Sequence, residues 1–419
     1  MNNSLHFQQV FIVIVLGLVS CSPFSIPAEP ISEHVTLPPA RTSTPTFAVA
    51  VTPSFTQPPD QASPAHEVPT LVPTPTSAPP TGKIVFEVAA GKAGIYTMRA
   101  DGSELSLIHR ASPNRVSKSP KWTPDGKGVA FLTSEGSDAI QMIGLWIMDE
   151  DGKNTRRLTY KNSHDFDFSF SPDGDRLVYA SKGSQPEVSE WMGIYIVEIH
   201  SGKTVTLTSQ AGYLKNPVWS PDGEWIAYLA RDKDSDAYDL YVIDDNGIGS
   251  RKINEDFNLY KQRTSLSWAP DSKSLATTCV VDGNIDICLF PINGTAPVRL
   301  TSSDNDKMHP RWSPDGRYIA FVSRYEINGA PHEDFYTLNV EDLSINKLTD
   351  FPSFTGVARY FTPPPSCSPN GDYLAIVSQQ GINDRQAILL INLKNNEIVQ
   401  LTSDLGFAIE SFDWVGDTE

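Results

Sequence analysis

A tetrapeptide that recurs at nearly constant spacing is the feature that most constrains what this chain can fold into. Ser-Pro-Asp-Gly or a close variant, usually preceded by an aromatic residue, occurs six times between residues 122 and 371. The prolines of successive copies are 48, 49, 49, 44 and 55 residues apart. Such a period is typical of solenoids, propellers and repeat arrays, and it overrides the two or three domains that 419 residues would otherwise suggest. The six prolines are Pro124, Pro172, Pro221, Pro270, Pro314 and Pro369.

Each copy predicts a turn between two β-strands. Ser at the first position, Pro with its fixed φ at the second and Asp at the third favour a type I turn, after which Gly supplies a left-handed residue. An apolar triplet follows, such as Ile-Ala-Tyr at 226–228, and its lack of polar alternation indicates a strand covered on both faces. A third strand with aromatic residues and a fourth that ends in Arg/Lys-Leu-Thr complete the unit. No segment of the repeat predicts a helix.

The ends of the repeat region predict how many units there are and how they close. Four short antiparallel strands, repeated radially, form the blade of a β-propeller. Residues 84–108 have the pattern of a second, third and fourth strand without a first, whereas residues 411–414 have that of a first strand alone. We therefore predict an all-β fold: a single seven-bladed propeller over residues 83–419, whose C-terminal strand completes the first blade.

The repeat also carries a family resemblance. Trp-Ser-Pro-Asp-Gly, then apolar-Ala-aromatic, an aromatic third strand and Arg/Lys-Leu-Thr together resemble the repeat of the TolB propeller and its WD-like relatives. The resemblance covers residues 83–415, and six copies agree in order and spacing. It implies a propeller that binds partners in the bacterial envelope. The pattern departs from TolB in two ways: we expect no separate N-terminal α/β domain, and seven blades rather than six.

The N-terminal segment predicts export. Residues 10–19 form an unbroken apolar run, too short to cross a bilayer as a helix but suited to the core of a signal peptide. The ending Leu-Val-Ser-Cys at 18–21 resembles the lipobox of bacterial lipoproteins, which implies cleavage after residue 20 and lipidation of Cys21. Residues 1–9 lack the Lys or Arg expected before the apolar run, and an ordinary secretory signal is the alternative. The predicted location is the cell envelope: the outer side of the cytoplasmic membrane, the periplasm or the outer membrane.

A proline-rich stretch predicts a tether between this signal and the propeller. Residues 22–82 contain 15 of the 33 prolines, mixed with Thr, Ser and Ala. Such a composition has too little periodic apolar surface to offset the entropy of ordering, so the stretch should be an extended and disordered spacer. We expect residues 1–20 to be the signal peptide and residues 21–82 to be the lipidated cysteine with its tether.

Charge and motifs exclude several functions. Acidic residues outnumber basic residues by 50 to 33, and the net charge of −17 argues against a nucleic-acid partner. The sequence lacks the Gly-x-Ser-x-Gly nucleophile elbow, the His-Glu-x-x-His zinc motif, glycine-rich phosphate loops and Cys-x-x-Cys pairs. The acidic run at 232–239 fails the spacing of an EF-hand and is more typical of a solvated loop. We predict no cofactor, no bound metal and no catalytic residue.

The central channel is the predicted binding site. The first strand of each propeller blade lines the channel, so polar residues three to five positions before the tryptophan position converge from seven blades. Four of the residues around the predicted mouth are cationic, which favours an anionic group in a throat of low dielectric constant. The alternative is a solvated rim without a ligand. The residues that we expect to contact a ligand are Lys118, Asp165, Asp167, Lys215, Arg263, Lys307 and His309.

One hairpin predicts a disulfide. Residues 279–288 begin and end with cysteine, and a two-residue loop at Gly283 and Asn284 would make Cys279 and Cys288 a non-hydrogen-bonded pair, close enough to bridge. Export from the cytoplasm permits oxidation. A three-residue loop would shift the register and leave two thiols. In either case Cys367 is expected to be a buried free thiol.

These observations favour a non-enzymatic binding protein. The leading hypothesis is a membrane-tethered, monomeric propeller of the envelope that recognises a protein or an envelope polymer through its loop face. The alternative is a hydrolase or lyase that acts on a glycan or peptide in the channel, for which Asp165 and Asp167 would be the paired carboxylates. A scaffold without a small ligand is the third possibility.

Overall fold

The computed structural model describes residues 79–89, 93–111, 117–135, 142–160, 163–182, 191–232, 234–235, 237–255, 257–259, 264–302, 304–351, 363–378, 386–402 and 409–417. The predicted signal peptide, Cys21, most of the predicted tether and Arg263 lie outside these residues. Within the described ranges there is no helix with the length and apolar character of a membrane span.

The described chain forms β-strands throughout. The first fifteen are β1 Lys83–Val88, β2 Gly94–Arg99, β3 Ser106–Arg110, β4 Ser117–Trp122, β5 Gly128–Glu135, β6 Met142–Asp149, β7 Arg156–Arg157, β8 His164–Phe170, β9 Arg176–Lys182, β10 Trp191–Glu198, β11 Thr204–Ala211, β12 Tyr213–Trp219, β13 Trp225–Arg231, β14 Asp239–Asp244 and β15 Arg251–Lys252. The remainder are β16 Asn258–Leu259, β17 Ser267–Trp268, β18 Ser274–Val281, β19 Asn284–Pro291, β20 Val298–Arg299, β21 Asp306–Trp312, β22 Tyr318–Ile327, β23 Ala330–Asn339, β24 Ile345–Lys347, β25 Ser366–Cys367, β26 Tyr373–Ser378, β27 Ala387–Asn392, β28 Ile398–Gln400 and β29 Ile409–Val415.

These strands make seven antiparallel sheets, the blades of a β-propeller, as the repeat predicted. Blade 1 has the order β29-β1-β2-β3, and blades 2, 3 and 4 contain β4–β7, β8–β11 and β12–β15. In blade 5 both β16 and β17 pair with β18, so two short strands share the innermost place, and β19 and β20 follow. Blades 6 and 7 contain β21–β24 and β25–β28. In blades 2 to 7 the chain runs from the innermost strand outward, whereas in blade 1 the innermost strand is the C-terminal β29.

The C-terminal strand closes the ring, which confirms the predicted shared blade. β29 pairs with β1 through Lys83 opposite Val415 and Ile84 opposite Trp414. The indole Nε1 of Trp414 also donates a hydrogen bond to the carbonyl oxygen of Thr81, at 3.0 Å. The first and last described segments of the propeller therefore hold each other in one sheet.

The repeated tetrapeptide folds as its residue types require. In blade 6 the amide of Gly316 donates to the carbonyl of Ser313 at 3.0 Å, which closes the turn, and Gly316 has a φ of 73°. The Ser313 hydroxyl donates to Asp315 Oδ1 at 2.8 Å and accepts from the amide of Tyr318, so it fixes the entry to β22. We call the face of the propeller that carries these turns the turn face, and the opposite face, where the innermost strands begin, the loop face.

The core lies between the blades. Within the described residues the buried apolar side chains fall into seven clusters, and each joins neighbouring blades. Trp122, Trp219, Trp268 and Trp414 are buried there, at equivalent positions near the ends of their innermost strands. These tryptophans therefore pack between neighbouring blades.

The cysteine hairpin has a different register from the predicted one. Val281 pairs with Asn284, so the loop is Asp282-Gly283 rather than Gly283-Asn284. Both loop residues have positive φ, 53° and 82°, as a type I′ turn requires, and Asp-Gly is among the preferred pairs for that turn. The predicted direct pairing of the cysteines was therefore wrong. Cys279 and Cys288 are diagonal neighbours on one face of the hairpin, joined by a disulfide with Cα atoms 5.8 Å apart.

Candidate binding site in the central channel

The seven innermost strands bring equivalent positions together around the central axis. Three residues before the tryptophan position are Ser119, Asp167, Asn216, Ser265, His309, Pro364 and Ser411, a mainly polar set (the polar ring) in which Ser265 and Pro364 precede the short strands β17 and β25. Apart from the exposed Asp167 and Pro364, these residues are half-buried. That these side chains line a channel remains a prediction from the repeat.

A β-bulge interrupts the innermost strands at this level. In blades 2, 3, 4 and 6 the innermost strand shifts its register with the second strand. The shift lies just before the tryptophan position, for example between Lys118 and Lys121 in blade 2. Ser119, Asn216 and His309 have φ values of 54°, 52° and 55° there. A bulge places one extra residue in a strand, so the alternation of side chains changes sides across it. This change decides which of the predicted residues reach the channel.

Hydrogen bonds between blades use several channel side chains. The amide of Asn216 donates to Asp167 Oδ2 at 3.1 Å, and the amide of Ser119 donates to Ser411 Oγ at 3.2 Å. Nearer the turn face, the backbone amides of Trp122, Trp219 and Trp312 donate to side chains of the preceding blades. Part of the polar lining of the channel therefore joins neighbouring blades.

Asp165 is not presented to the channel mouth, contrary to our expectation. Its carboxylate is fully buried and accepts hydrogen bonds from the hydroxyls of Thr159, Ser163 and Ser181 and from the amide of Leu145. Burial raises the pKa of the Asp165 carboxyl, and these donors oppose the rise. The bulge turns this residue into the blade, so Asp165 and Asp167 do not face one ligand.

Similar networks around other buried carboxylates explain the Thr of the Arg/Lys-Leu-Thr signature. The hydroxyl of Thr301 accepts from the amide of Ile287 at 3.0 Å and donates to the buried Asp286 at 2.8 Å. Thr349 makes the equivalent bonds to Phe335 and Asp334. The threonine thus links the end of the fourth strand to the third strand, through a backbone amide and a buried carboxylate of that strand.

Lys307 is also absent from the channel mouth. Its side chain is almost fully buried, donates to the carbonyl of Asn305, and lies 3.5 Å from Asp286. Asp286 is paired with Arg299 as well, at 2.6 Å. Burial lowers the pKa of the Lys307 ammonium, whereas Asp286 raises it. Because a buried charge without its partner is costly, Lys307 serves this ion-pair group inside the propeller.

Lys118 and Lys215 lie four residues before the tryptophan position, next to Asp167 and His309 of the polar ring. The Lys215 ammonium lies 3.9 Å from the ring centroid of Tyr238, and burial lowers its pKa whereas Asp167 raises it. Lys118 is half-buried and Asp167 is exposed. Two cations and one carboxylate from blades 2, 3 and 4 therefore share one sector of the loop face.

The sequence reasoning missed a second charged level. One residue before the tryptophan position, the channel carries Lys121, Arg311 and Asp413 in blades 2, 6 and 1. The remaining blades have Ser169, Val218, Ser267 and Ser366 there. Strand alternation gave no reliable signal for this position, because the bulge lies between it and the residues at the loop-face end of the strand.

Comparisons with known proteins agree with the fold. The family model described as TolB beta propeller domain matches residues 109–257 and 145–359. The Tol-Pal system protein TolB of Francisella tularensis is 26% identical over 277 residues, which cover 65% of this chain. That match covers 57% of the relative, so the chain spans little more than half the length of this protein.

Two solved propellers with enzymatic names share the architecture. An oligogalacturonate lyase from Vibrio parahaemolyticus aligns with a TM-score of 0.53 and 16% identity, over 74% of this chain and 91% of the lyase. A puromycin-hydrolyzing peptidase of Mycobacterium tuberculosis aligns with a TM-score of 0.55 and 14% identity, over 80% of this chain and 56% of the peptidase. At such identities the likeness concerns the fold alone.

Proposed function

This chain belongs to the TolB β-propeller domain family, and we propose on that basis that it is a binding protein of the bacterial cell envelope. It recognises a protein or an envelope polymer through the loop face of the propeller. The observation that carries the proposal is the family match over residues 109–359, together with a relative named for the Tol-Pal system.

The loop-face end of the channel is the proposed contact region. Lys118 and Lys215 supply positive charge in a chain whose net charge is −17, and Asp167 and His309 supply further polar groups. A concave site with a few convergent polar groups is the usual form of a ligand pocket. The cations favour an anionic group of the partner, such as a carboxylate of a peptide or an envelope sugar.

An enzymatic function has less support. The carboxylates Asp165 and Asp167 were the candidates for acid and base, and Asp165 is enclosed by four donors inside the blade. The likeness to a lyase and a peptidase concerns the fold. A binding role needs only the surface that the loop face offers.

We further propose that Cys21 is lipidated and that residues 22–82 hold the propeller away from the membrane as an extended tether. Two acyl chains are sufficient for stable anchoring, whereas one chain binds only marginally. A proline-rich spacer gives reach without a folded domain of its own. One propeller per chain is then sufficient to carry the binding surface, as a monomer.

The test is affinity capture from envelope extracts by the tagged full-length chain, with proteins and glycans identified separately. Lys118→Gln combined with Lys215→Gln should reduce the captured partner about tenfold or more, because two charge-assisted contacts are lost. The matched control is Lys127→Gln combined with Lys273→Gln, which removes two exposed cations of the turn face.

The control should capture the partner like the wild type and melt close to it, since exposed side chains rarely decide stability. Lys118 and Lys215 are half-buried, so melting curves must show that their variant is folded before its capture is compared. If the Lys118 and Lys215 variant captured the same partner at full yield while the turn-face variant lost it, the loop face would be the wrong surface. A scaffold role of the turn face would then replace the present proposal.

A further inference from the structure

The charged level near the turn face differs from the rest of the channel. At this position Ser169, Ser267 and Asp413 each accept a hydrogen bond from the backbone amide that ends the next innermost strand, at 2.9 to 3.0 Å. These side chains therefore join neighbouring blades. Lys121 and Arg311 occupy the same position but have no acceptor atom, so they cannot make this bond.

Arg311 is a candidate for ligand binding, although its charge also favours the ionised form of the Asp413 carboxyl. It is exposed, and its guanidinium forms no hydrogen bond or ion pair with the residues that the structure describes. Its backbone pairs with Ala320 of β22, and the next residue, Trp312, ends the innermost strand. The guanidinium thus has a fork of donors available at the level where the channel opens to the turn face.

Lys121 supplies a second cation at this level. Its ammonium donates one hydrogen bond to the carbonyl of Phe168, at 2.6 Å, and retains two further donors. Asp413 of the neighbouring blade holds the amide of Trp122 at 3.0 Å. Burial lowers the pKa of the Lys121 ammonium and raises that of the Asp413 carboxyl, and each charge opposes the shift of the other.

The charges of this level do not cancel. Lys121 and Asp413 lie in adjacent blades and act on each other, and Arg311 acts on both from two blades further round the ring. Asp167, in the polar ring two positions nearer the loop face, also favours the charged form of the Lys121 ammonium. The level itself holds two cations and one carboxylate, which leaves it one positive charge.

We propose that the turn-face end of the channel is a second binding site, which takes a carboxylate between Arg311 and Lys121. Arg311 would bind the two carboxylate oxygens through its fork, and Lys121 would donate one further hydrogen bond. A small organic acid and the C-terminus of a peptide both offer this group. The site goes beyond the proposed function, because it lies at the opposite end of the channel from Lys118 and Lys215.

The experiment measures the binding of three probes to the full-length chain in detergent, by calorimetry and saturation-transfer NMR. The probes are acetate, triglycine with a free C-terminus and triglycine amide. Both acids should bind, and triglycine amide should bind at least about tenfold more weakly than triglycine, because its C-terminus carries no negative charge. Tighter binding of triglycine than of acetate assigns the site to a peptide C-terminus, and the reverse order assigns it to a small acid.

Three variants separate the site from general charge effects. Arg311→Gln should weaken triglycine binding about tenfold or more, and Arg311→Lys should give an intermediate loss, since the charge remains without the fork. Asp413→Asn keeps an acceptor for Trp122 and removes the competing charge, so it should tighten binding. Lys127→Gln removes an exposed cation of the turn face and should leave binding unchanged.

Three results would overturn the proposal: no detectable binding of either acid to the wild type, equal binding of acid and amide, or full affinity of the folded Arg311→Gln protein. Melting curves establish that each variant is folded. Partner capture at the loop face is unaffected by any of these results, so the two proposals fail separately.

Discussion

Glu87 shows how a single buried carboxyl can link ring closure to pH. It lies at the bulge between β1 and β29, and its Oε2 accepts from the Ser411 hydroxyl at 2.7 Å and from the Ser119 amide at 3.0 Å. The carboxyl thus contacts blades 1 and 2 at once. Burial raises its pKa to about 7, Glu410 raises it further, and the two hydrogen bonds and Lys118 lower it.

This raised pKa predicts a pH dependence of stability. A carboxyl whose pKa is higher in the folded than in the unfolded state favours folding at low pH, and that contribution is lost as pH rises from the unfolded value, 4.5, to about 7. Glu87→Gln keeps a neutral amide there, so its stability advantage over the wild type should grow through this window by a few kcal/mol. Urea unfolding at a series of pH values measures the difference.

The control for this prediction is Glu224→Gln, at an exposed position after the turn of blade 4. Its stability should follow that of the wild type across the same pH range. A constant difference between Glu87→Gln and the wild type from pH 4 to 8 would mean that Glu87 does not titrate in this window.

At the scale of strands, the closing strand β29 should contribute measurably to the stability of the propeller. It supplies Trp414, which is buried against blade 7, and it is the only described partner of β1 on the inner side of blade 1. Deletion of residues 410–419 should lower the melting temperature by about 10 °C or more, since loss of one buried Trp costs about 3–5 kcal/mol. The exposed edge of β1 should also promote aggregation, detectable by light scattering.

A deletion of residues 418–419 alone is the control and should melt like the full chain. A protein without residues 410–419 that unfolded at the wild-type temperature would contradict closure by β29. The ring would then have to be stable with blade 1 lacking its innermost strand.

The strands were predictable from the sequence because each depends on local signals. The Ser-Pro-Asp-Gly turn fixes where the first and second strands meet, and the unbroken apolar triplets mark strands covered on both faces. Residues 84–108 have the pattern of a blade without its first strand, and residues 411–414 have the pattern of a first strand alone, so pairing the two completes blade 1. These signals repeat, so an error in one copy is corrected by the others.

The candidate site was less predictable because the bulges carry no such signal. Without a bulge, Asp165 and Lys307 would lie on the channel side of their strands, five residues before the aromatic position. One extra residue in each strand turns them inward, where they join buried networks. The predicted register of the cysteine hairpin was wrong for a similar reason. Both Asp282-Gly283 and Gly283-Asn284 were possible two-residue loops, and the positive φ values belong to Asp282 and Gly283.

At the scale of the whole molecule, the propeller presents two unlike ends of one channel. The loop-face end has Lys118, Lys215 and Asp167, and the turn-face end has Arg311 and Lys121 with Asp413. The polar ring between them is used mainly for bonds between blades. If both proposals hold, a propeller held at a membrane offers a large partner its loop face while the turn-face end of the channel binds a single carboxylate.

Anchoring is the property that decides where such a propeller works, and Cys21 is its predicted determinant. With Cys21 lipidated, the full-length protein should sediment with membranes and resist extraction by high salt or carbonate, because two acyl chains give stable attachment. Cys21→Ser should move most of the protein to the soluble fraction without altering the melting of the propeller. Cys367→Ser makes the same chemical change at a buried thiol inside blade 7 and should leave the protein with the membranes. Mass spectrometry of the N-terminal peptide identifies the acyl groups directly, and equal membrane retention of the Cys21→Ser and wild-type proteins would exclude the lipid anchor.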